Sequence, residues 1–475
     1  MSVNGAAGAN NSPVTGQVAA LSRDVFAGLI TSIVAVAYGL SFAALIFAPP
    51  LTPWIAYGIA ATFLTTAISA AIIAARSSLP FAIAGPDGAT AAVTATMVAH
   101  FLGQLDAEGA PDDLLAPVMI VMALSAALAG ILLFGLGLAR AGGAIRFVPY
   151  PVVGGFLGAT GWLMVNGAAR VVADKGLSVS TIGTFLDPSV MAKLAATAAI
   201  ALALYFGLRR RGDSPYVLPG ILLAGIGAAY LAFTLSGMTL SEARGEGWMF
   251  KAPAAGGLTW TWDLNDLRIF PWRALSGHVG DLLAVMFVTA ITMLLNTTGI
   301  EFVTRREADL QRDLKTLGVA NLAGAALGGY VSCISLSRTT LNYAAGGRGR
   351  LSGLVVAIVS GFVLTANPGF LAYVPKFVLG GLLLYLGFNL IQEWFIDSAR
   401  RISLLEYASL LAIALLIIQI GFIAGVLIGV IIGCATLPAS SYLIIAWLPV
   451  SIPPPCIALL ISSAPPTMSA PASCS

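Results

Sequence analysis

Long apolar runs separated by short polar loops fill most of this 475-residue chain. A helix that crosses a lipid bilayer needs about 20 consecutive apolar residues. Three stretches, 80–102, 315–329 and 331–347, are shorter or richer in glycine than the rest. Counting these three as spans predicts fourteen transmembrane helices between residues 23 and 437. The clear runs lie at about 25–48, 54–75, 115–138, 147–168, 189–208, 216–236, 281–301, 352–373, 376–396, 404–419 and 421–437.

Composition agrees with a polytopic membrane protein. Only 9% of residues are charged and 58% are hydrophobic, whereas soluble domains carry roughly 25% charged residues. Soluble enzymes are therefore excluded, and the long runs also exclude a transmembrane barrel, whose segments are short and alternating. The net charge of +3 gives no reason to expect nucleic acid as a partner. The four cysteines lack metal-ligand spacing, so neither a metal site nor a disulfide framework is predicted.

The distribution of basic residues predicts the orientation. Lysine and arginine favour cytoplasmic loops, and placing the N-terminus inside puts 15 of the 24 in inner loops. Omitting any one weak span would invert every later loop and destroy this bias. The sequence therefore predicts an all-α, multi-pass protein of the cell (inner) membrane, with both termini in the cytoplasm.

A short motif occurs twice and indicates an inverted repeat. Val148-Pro149-x-x-Val152-Val153-Gly154-Gly155-Phe156 matches Val374-Pro375-x-x-Val378-Leu379-Gly380-Gly381-Leu382. The copies open spans five and twelve, and seven spans per repeat place the halves in opposite orientations. The predicted organisation is a disordered cytoplasmic tail (1–22) and a transmembrane domain (23–437). That domain holds repeats at about 23–236 and 281–437, and an outer loop at 237–280 that packs at their interface.

Spans three and ten predict the functional site. Each combines a short β-like stretch with a break and a helix, the first at Gly85-Pro86-Asp87-Gly88-Ala89-Thr90 and the second at Ser335-Leu336-Ser337-Arg338-Thr339. Broken helices at matching positions of an inverted repeat form transporter sites near the midplane. Two helix N-termini that meet there would aim positive dipole ends at one point, which predicts an anion site.

Individual side chains in these breaks have more than one interpretation. Arg338 is a guanidinium at membrane depth, which usually marks a substrate path but also occurs as a snorkelling residue or paired with a buried carboxylate. Ser335, Ser337 and Thr339 either donate to the substrate or pack helices. Asp87 either caps its helix, binds a coupling cation or proton, or pairs with Arg338. Glu301, at the end of span eight, is expected to face the cytoplasmic loop.

The chain resembles the sulfate permease family of anion transporters between about Asp24 and Gly433. The resemblance rests on the Gly85-Pro86 break, on the run Arg312-Asp313-Leu314 … Gly318-Val319-Ala320-Asn321 … Gly328-Gly329, and on Ser337-Arg338-Thr339 … Asn342-Tyr343-Ala344-Ala345-Gly346. It implies seven plus seven spans, core and gate domains, elevator-like movement of the core and a homodimer. It also implies an anion site between spans one, three, eight and ten, to which Tyr38, Ser41, Thr292 and Asn296 would contribute.

Departures from the family pattern concern coupling and the C-terminus. Many members carry an acidic residue in span eight where this chain has Thr292, and the Pro-Gln of span one aligns with Ala37-Tyr38. Na+ or H+ coupling therefore stays open, and no other cofactor is predicted. Members usually continue into a cytoplasmic STAS domain, whereas residues 438–475 are rich in proline and serine. We hypothesise a truncated or frameshifted reading frame there.

The leading functional hypothesis is secondary active transport or exchange of a small inorganic or carboxylate anion, such as sulfate, bicarbonate, chloride or a dicarboxylate. The alternatives are a nucleobase permease of the same fold, an anion channel and a non-transporting remnant. No motif indicates an enzyme. The glycine-rich stretches lack the strand–loop–helix setting and the lysine of a phosphate-binding loop.

Overall fold

The structure, a computed structural model, describes residues 13–108, 114–142, 150–211, 214–250, 270–365 and 372–420, and the single positions 425 and 428. Helices dominate it. They are α1 (Pro13–Ile46), α2 (Ile55–Arg76), α3 (Gly88–Glu108), α4 (Leu115–Leu138), α5 (Tyr150–Ala173), α6 (Ile182–Phe185), α7 (Pro188–Arg210), α8 (Val217–Leu235), α9 (Leu240–Gly245), α10 (Trp272–Ser276), α11 (Val279–Thr304), α12 (Leu310–Ala326), α13 (Leu336–Ala344), α14 (Leu351–Thr365), α15 (Lys376–Ile391) and α16 (Leu404–Ile420). The two strands are β1 (Ala84–Gly85) and β2 (Cys333–Ile334).

Thirteen of the fourteen predicted spans correspond to described elements. Within the described ranges, eight helices are long and apolar enough to cross a membrane, and two shorter apolar helices, at Leu351–Thr365 and Leu404–Gln419, match spans eleven and thirteen. Spans three, nine and ten are β1 with α3, α12, and β2 with α13. The predicted span at 421–437 lies outside the described residues except at positions 425 and 428.

The N-terminal boundary differs from the prediction. Helix α1 begins at Pro13, so residues 13–22 are helical where a disordered tail was predicted. Proline suits the first position of a helix because its missing N–H has no partner there in any case. Ala19, Ala20 and Leu21, which favour helix, then continue it into the apolar run. Residues 1–12 lie outside the described part of the chain.

The helices pack as two groups, which we call the core domain (α1–α4 and α11–α14) and the gate domain (α5, α7, α15 and α16). In the core domain α4 packs on α12, and α2 packs on α14. In the gate domain α5 packs on α16, and α15 packs on α7. Within each domain, one of these two helix pairs is converted into the other when spans one to seven are exchanged with spans eight to fourteen. This is the contact pattern of an inverted repeat.

The repeat axis passes through a glycine crossing between α5 and α15. A Cβ on Gly161 would lie 2.8 Å from the carbonyl oxygen of Gly387, and a Cβ on Gly387 would lie 2.7 Å from the carbonyl oxygen of Gly161. The two glycines are 387 − 161 = 226 residues apart, the same offset that separates the two copies of the predicted motif. Small residues of this kind let two membrane helices approach backbone to backbone.

The segment between the two repeats, predicted to be an outer loop, contacts both domains through its described residues. In its first part, Arg244 donates through Nε to the carbonyl oxygen of Ala372 at 3.3 Å, and the carbonyl of Trp248 accepts from the N–H of Lys376 at 2.9 Å, on the gate side. In its last part, Phe270 stacks on Phe101 of α3 in the core domain at 6.0 Å between ring centroids. Residues 251–269 lie outside the described residues.

Candidate functional site at the junction of the broken spans

The two broken spans meet through a very short antiparallel sheet. Ala84 pairs with Ile334 and Gly85 pairs with Cys333. Helix α3 begins three residues after β1, and α13 begins two residues after β2. The first N–H groups of a helix have no partner within the helix and carry partial positive charge. The pairing therefore brings two positive helix ends to one place, as the sequence predicts.

Gly85 is required at this junction for two reasons. Its φ is +154°, a conformation that residues with a Cβ rarely adopt. A Cβ there would also lie 2.7 Å from Nη1 of Arg338. The glycine of the Gly85-Pro86 break therefore makes room for the arginine of the other broken span.

Several polar side chains hold the two breaks together through backbone groups. Oγ1 of Thr339 accepts from the N–H of Ile83 at 3.0 Å, and Nδ2 of Asn296 donates to the carbonyl oxygen of Ile334 at 2.8 Å. Nδ2 of Asn342 donates to the carbonyl oxygen of Phe81 at 2.9 Å. Thr339 and Asn296, both predicted as substrate ligands, are thus engaged with the junction itself. Asn342 was recognised only as part of a motif, and no local pattern indicates its partner.

Arg338 lies beneath the junction. Its side chain is 1% exposed, and Nη2 donates to the carbonyl oxygen of Pro86 at 2.6 Å. Its Nε is buried and has no hydrogen-bond partner among the described residues. The ion pairs found within the described residues join Asp281 to His100 and His278, and Lys376 to Asp174, so none involves Arg338. The snorkelling interpretation therefore does not describe this arginine, whose positive charge is buried beside both helix N-termini. Pairing with a carboxylate stays a prediction, because Asp87 interacts electrostatically with Arg338 although no ion pair joins them among the described residues.

Asp87 directly precedes α3 and is half-buried. Its carboxylate interacts with the N–H of Ala89 and with the side chains of Ser335 and Asn296. The first contact is that of an N-cap residue with the second residue of its helix. Thr90 was also predicted as a ligand. Its hydroxyl donates to the carbonyl oxygen of Asp87 at 3.0 Å and so stabilises the first turn of α3.

The remaining predicted ligands separate into two groups. Ser41 donates at 3.3 Å to the carbonyl oxygen of Leu379, so it joins α1 of the core domain to α15 of the gate domain. Thr292 is buried, and its hydroxyl has no partner. Tyr38 is also buried, and it interacts with Ser337 and with Tyr385 of the gate domain. Tyr385 was not predicted, because one tyrosine within an apolar span has no distinguishing pattern.

The junction is open to solvent on one side. Ser337 is exposed although it lies in the first turn of α13, and Gly88 and Leu336 are half-buried. A Cβ on Gly88 would lie 3.3 Å from Cε of Met164 on α5, so the start of α3 faces the gate domain. The site thus consists of two helix N-termini, hydroxyl groups and a buried cation at the core–gate boundary. This arrangement can neutralise and desolvate a small anion.

Comparisons with known proteins agree with the fold. The family model described as the sulfate permease family matches residues 21–414. The bicarbonate transporter BicA of Synechocystis sp. is 25% identical over 361 residues, which cover 74% of this chain and 60% of that protein. The vacuolar basic amino acid transporter VSB1 of Saccharomyces cerevisiae is 21% identical over 335 residues, which cover 69% of this chain and 32% of that protein. The chain thus spans less than two thirds of the length of either relative.

Among solved structures, the transmembrane domain of a cyanobacterial bicarbonate transporter BicA superposes with a TM-score of 0.65 at 22% sequence identity. The alignment covers 87% of this chain and 97% of that domain. This likeness establishes a common fold, with its inverted repeat. Because the family model covers most of its length, the chain belongs to the sulfate permease family.

Proposed function

We propose that this protein is a secondary active transporter or exchanger of a small inorganic or carboxylate anion across the cell (inner) membrane. The observation that supports this most directly is the β1–β2 junction, where two helix N-termini meet above a buried arginine. Asp87 offsets part of the charge of Arg338, and the two helix N-termini add positive potential in a medium of low dielectric constant, where electrostatic attraction is strong.

The anion would bind at the opening of α3 and α13. Gly85, Gly88 and the first residues of α13 would present N–H groups, Ser337 would add a hydroxyl donor, and Arg338 would supply charge from beneath. Ala89 and Ser335, which bond the Asp87 carboxylate, would line the same opening. Sulfate, bicarbonate, chloride and dicarboxylates all satisfy these groups. The transport cycle would carry this site past the gate domain.

Two alternative substrate classes fit the junction less well. A nucleobase permease is expected to use a glutamate in span eight or ten, and the described residues place Thr292, Asn296 and Arg338 there. A basic amino acid, the substrate class in the name of the yeast relative, would meet the same charge as its own at Arg338. An anion channel would use the same groups and differs in energetics, because a channel cannot accumulate its ion.

The test is a flux assay on purified protein in liposomes. The panel contains sulfate, bicarbonate, chloride, a dicarboxylate, uracil and lysine, each with and without sodium and at two pH values. We expect saturable uptake of one or more anions that can be driven uphill by a counter-gradient. Uptake of lysine or uracil alone would refute anion transport, and flux that never exceeds equilibrium would indicate a channel.

Coupling and assembly are part of the same proposal. With Thr292 in span eight, we expect exchange or weak coupling to Na+ or H+. A homodimer embedded in the lipid bilayer, with both chain termini in the cytoplasm, completes it. Cross-linking in native membranes tests the dimer, and protease protection of tags at each terminus tests the orientation.

A further inference from the structure

A polar cavity, separate from the junction of the broken spans, lies between the two domains. It is at the end of the molecule that the basic-residue pattern predicts to be outer. Its volume is about 300 Å³. Thr96 and His100 of α3 and Asp281 of α11 line it from the core domain, and Asn166 and Arg170 of α5 line it from the gate domain. None of these residues belongs to the junction of the broken spans.

The core-domain wall contains two titratable groups in contact, His100 and Asp281. Nδ1 of His100 lies 3.3 Å from Oδ2 of Asp281, and Nδ1 of His278, which does not line the cavity, lies 3.0 Å from the same oxygen. Because an imidazole ordinarily changes charge between about pH 5 and 8, His100 makes the charge of this wall depend on pH.

The gate-domain wall contributes a fixed cation. Arg170 is half-buried, and within the described residues no ion pair or hydrogen bond engages its guanidinium. Asn166 accepts from the N–H of Leu177 at 2.6 Å, which fixes the amide beside it. Helix α16 adds only Gln419 and apolar side chains to the lining, and Gln419 carries no charge.

The charge balance at the cavity follows from these groups. With His100 neutral, Arg170 and Asp281 give the cavity lining a net charge of zero. With His100 protonated, the net charge becomes +1, because the imidazolium offsets the carboxylate of Asp281. The guanidinium of Arg170 then faces a neutralised wall across a space that a small oxyanion fills.

From this geometry we infer that the outer cavity is a second anion-binding site, separate from the junction, in which Arg170 binds the anion and protonation of His100 strengthens binding. The ligand class is a small oxyanion or carboxylate arriving from the outer side. An anion held there lies between core and gate domains and is positioned to enter the junction when the core domain moves.

The experiment measures the electrostatic potential in the cavity by cysteine modification and does not rely on transport. A cysteine is introduced by Thr96→Cys, and its rates of reaction with an anionic and a cationic methanethiosulfonate reagent are measured at pH 8 and pH 5.5. Taking the ratio of the two rates removes the pH dependence of the thiol itself, and the parent chain corrects for its own four cysteines. Ala99→Cys, which lines the same cavity, replaces the first variant if that one folds poorly.

We expect the anionic-to-cationic ratio to rise about threefold on acidification, because one charge is added to the wall of a water-accessible cavity. The rise should disappear in His100→Gln. A ratio that does not change with pH, or that changes equally in His100→Gln, would overturn the role of His100.

Protection by sodium sulfate tests binding. Sulfate should slow modification at pH 5.5, and Arg170→Gln should raise the half-protecting concentration about tenfold, the loss expected for one charge-assisted hydrogen bond. Lys175→Gln is the matched control, because it removes one positive charge nearby from a lysine that bonds Thr184 and does not line the cavity. Equal protection in Arg170→Gln and the parent would refute the site.

A last variant separates this inference from the proposed function. In Arg338→Ala the junction loses its buried cation, so transport and junction binding should weaken while sulfate protection at Thr96→Cys persists. Loss of protection in that variant would mean that sulfate acts through the junction and that the outer cavity is not a binding site.

Discussion

At the scale of single residues, Arg338 is the group on which the junction depends most. It bonds the carbonyl oxygen of Pro86 from the opposite broken span, and it is almost fully buried. Its role is therefore double, because it joins the two breaks and supplies positive potential to the site. These roles can be separated experimentally, since lysine retains the charge but not the forked hydrogen-bonding geometry.

We expect Arg338→Ala to weaken anion binding by about 1–3 kcal/mol, or roughly five- to 150-fold, and to lower the melting temperature because the Pro86 carbonyl loses its partner. Arg338→Lys should recover part of the affinity. Flux and thermal shift against a titrated anion measure both effects.

Arg350→Ala is the matched control for this change. Arg350 also bonds backbone carbonyls, those of Ala74 at 2.7 Å and Ser77 at 3.2 Å, but away from the junction. The Arg350→Ala variant should have a lower melting temperature but an unchanged anion affinity. Unchanged affinity in a folded Arg338→Ala would place the site elsewhere.

Asp87 is the acidic residue nearest the predicted substrate position, and its contact with Ala89 is that of a helix cap. Asparagine caps helices about as well as aspartate. We therefore expect Asp87→Asn to keep folded yield and uptake, with the same weak dependence on pH and sodium as the parent. Asp87→Ala should cost about 0.5–2 kcal/mol of stability. Strong proton-driven accumulation that vanishes in Asp87→Asn would instead make Asp87 the coupling residue.

At the scale of elements, the close crossing of α5 and α15 determines how the gate domain is built. A Cβ added to either glycine of the crossing would lie less than 3 Å from the carbonyl oxygen of the other glycine. A methyl group cannot enter without moving one helix, because the obstacle on each side is backbone rather than a flexible side chain. Overpacking of this kind typically costs about 1–3 kcal/mol.

Gly161→Ala and Gly387→Ala should therefore lower the melting temperature of the purified protein. Gly227→Ala on α8 is the control, since a Cβ there meets nothing within 4 Å and alanine favours helix over glycine by about 1 kcal/mol. That variant should be neutral or slightly stabilised. Equal melting temperatures in all three variants would show that α5 and α15 do not cross at these glycines.

The sequence predicted the helices and breaks that the structure contains, but it did not predict which side chains contact one another between them. The break at Gly85-Pro86 and the stretch before Ser335 could be recognised because proline and glycine interrupt an apolar run. That Thr339 bonds Ile83, or that Tyr385 lies near Tyr38, could not be recognised. These contacts join residues that are distant in the chain, and no local periodicity encodes them.

The start of α1 shows a second limitation, which concerns the position of a helix boundary. Glycine, serine and asparagine at the N-terminus indicated a disordered tail, but helix propensity propagates backwards from the apolar run to Pro13. Composition averages over a window and cannot locate such a boundary.

At the scale of the whole molecule, the proposed anion site lies where core and gate domains face each other. Gly88 on the core side and Met164 on the gate side come within 3.3 Å across this boundary, measured from an added Cβ to Cε. Elevator-like movement, as the resemblance implies, requires this contact to break in every cycle.

Linking the two domains should therefore stop transport. In Gly88→Cys/Met164→Cys we expect mercuric ion, which bridges two thiolates, to abolish flux, and an excess of a dithiol, which takes up the mercury, to restore it. Ala74→Cys/Gly353→Cys links α2 to α14 within the core domain, where a Cβ added to Gly353 would lie 2.8 Å from Cβ of Ala74, and should leave flux unchanged after treatment. Continued flux in a fully linked Gly88–Met164 pair would exclude relative movement at this boundary.

The two-residue pairing of β1 with β2 has a kinetic consequence. Backbone hydrogen bonds, Arg338, Thr339 and Asn342 tie both half-sites into one body, so the half-sites cannot open toward opposite compartments at the same time. A carrier with one indivisible site must release its first ion before it accepts the second. Exchange should then follow ping-pong kinetics, with parallel double-reciprocal plots when internal anion concentration is varied against external concentration, and intersecting plots would mean that two ions are held at once.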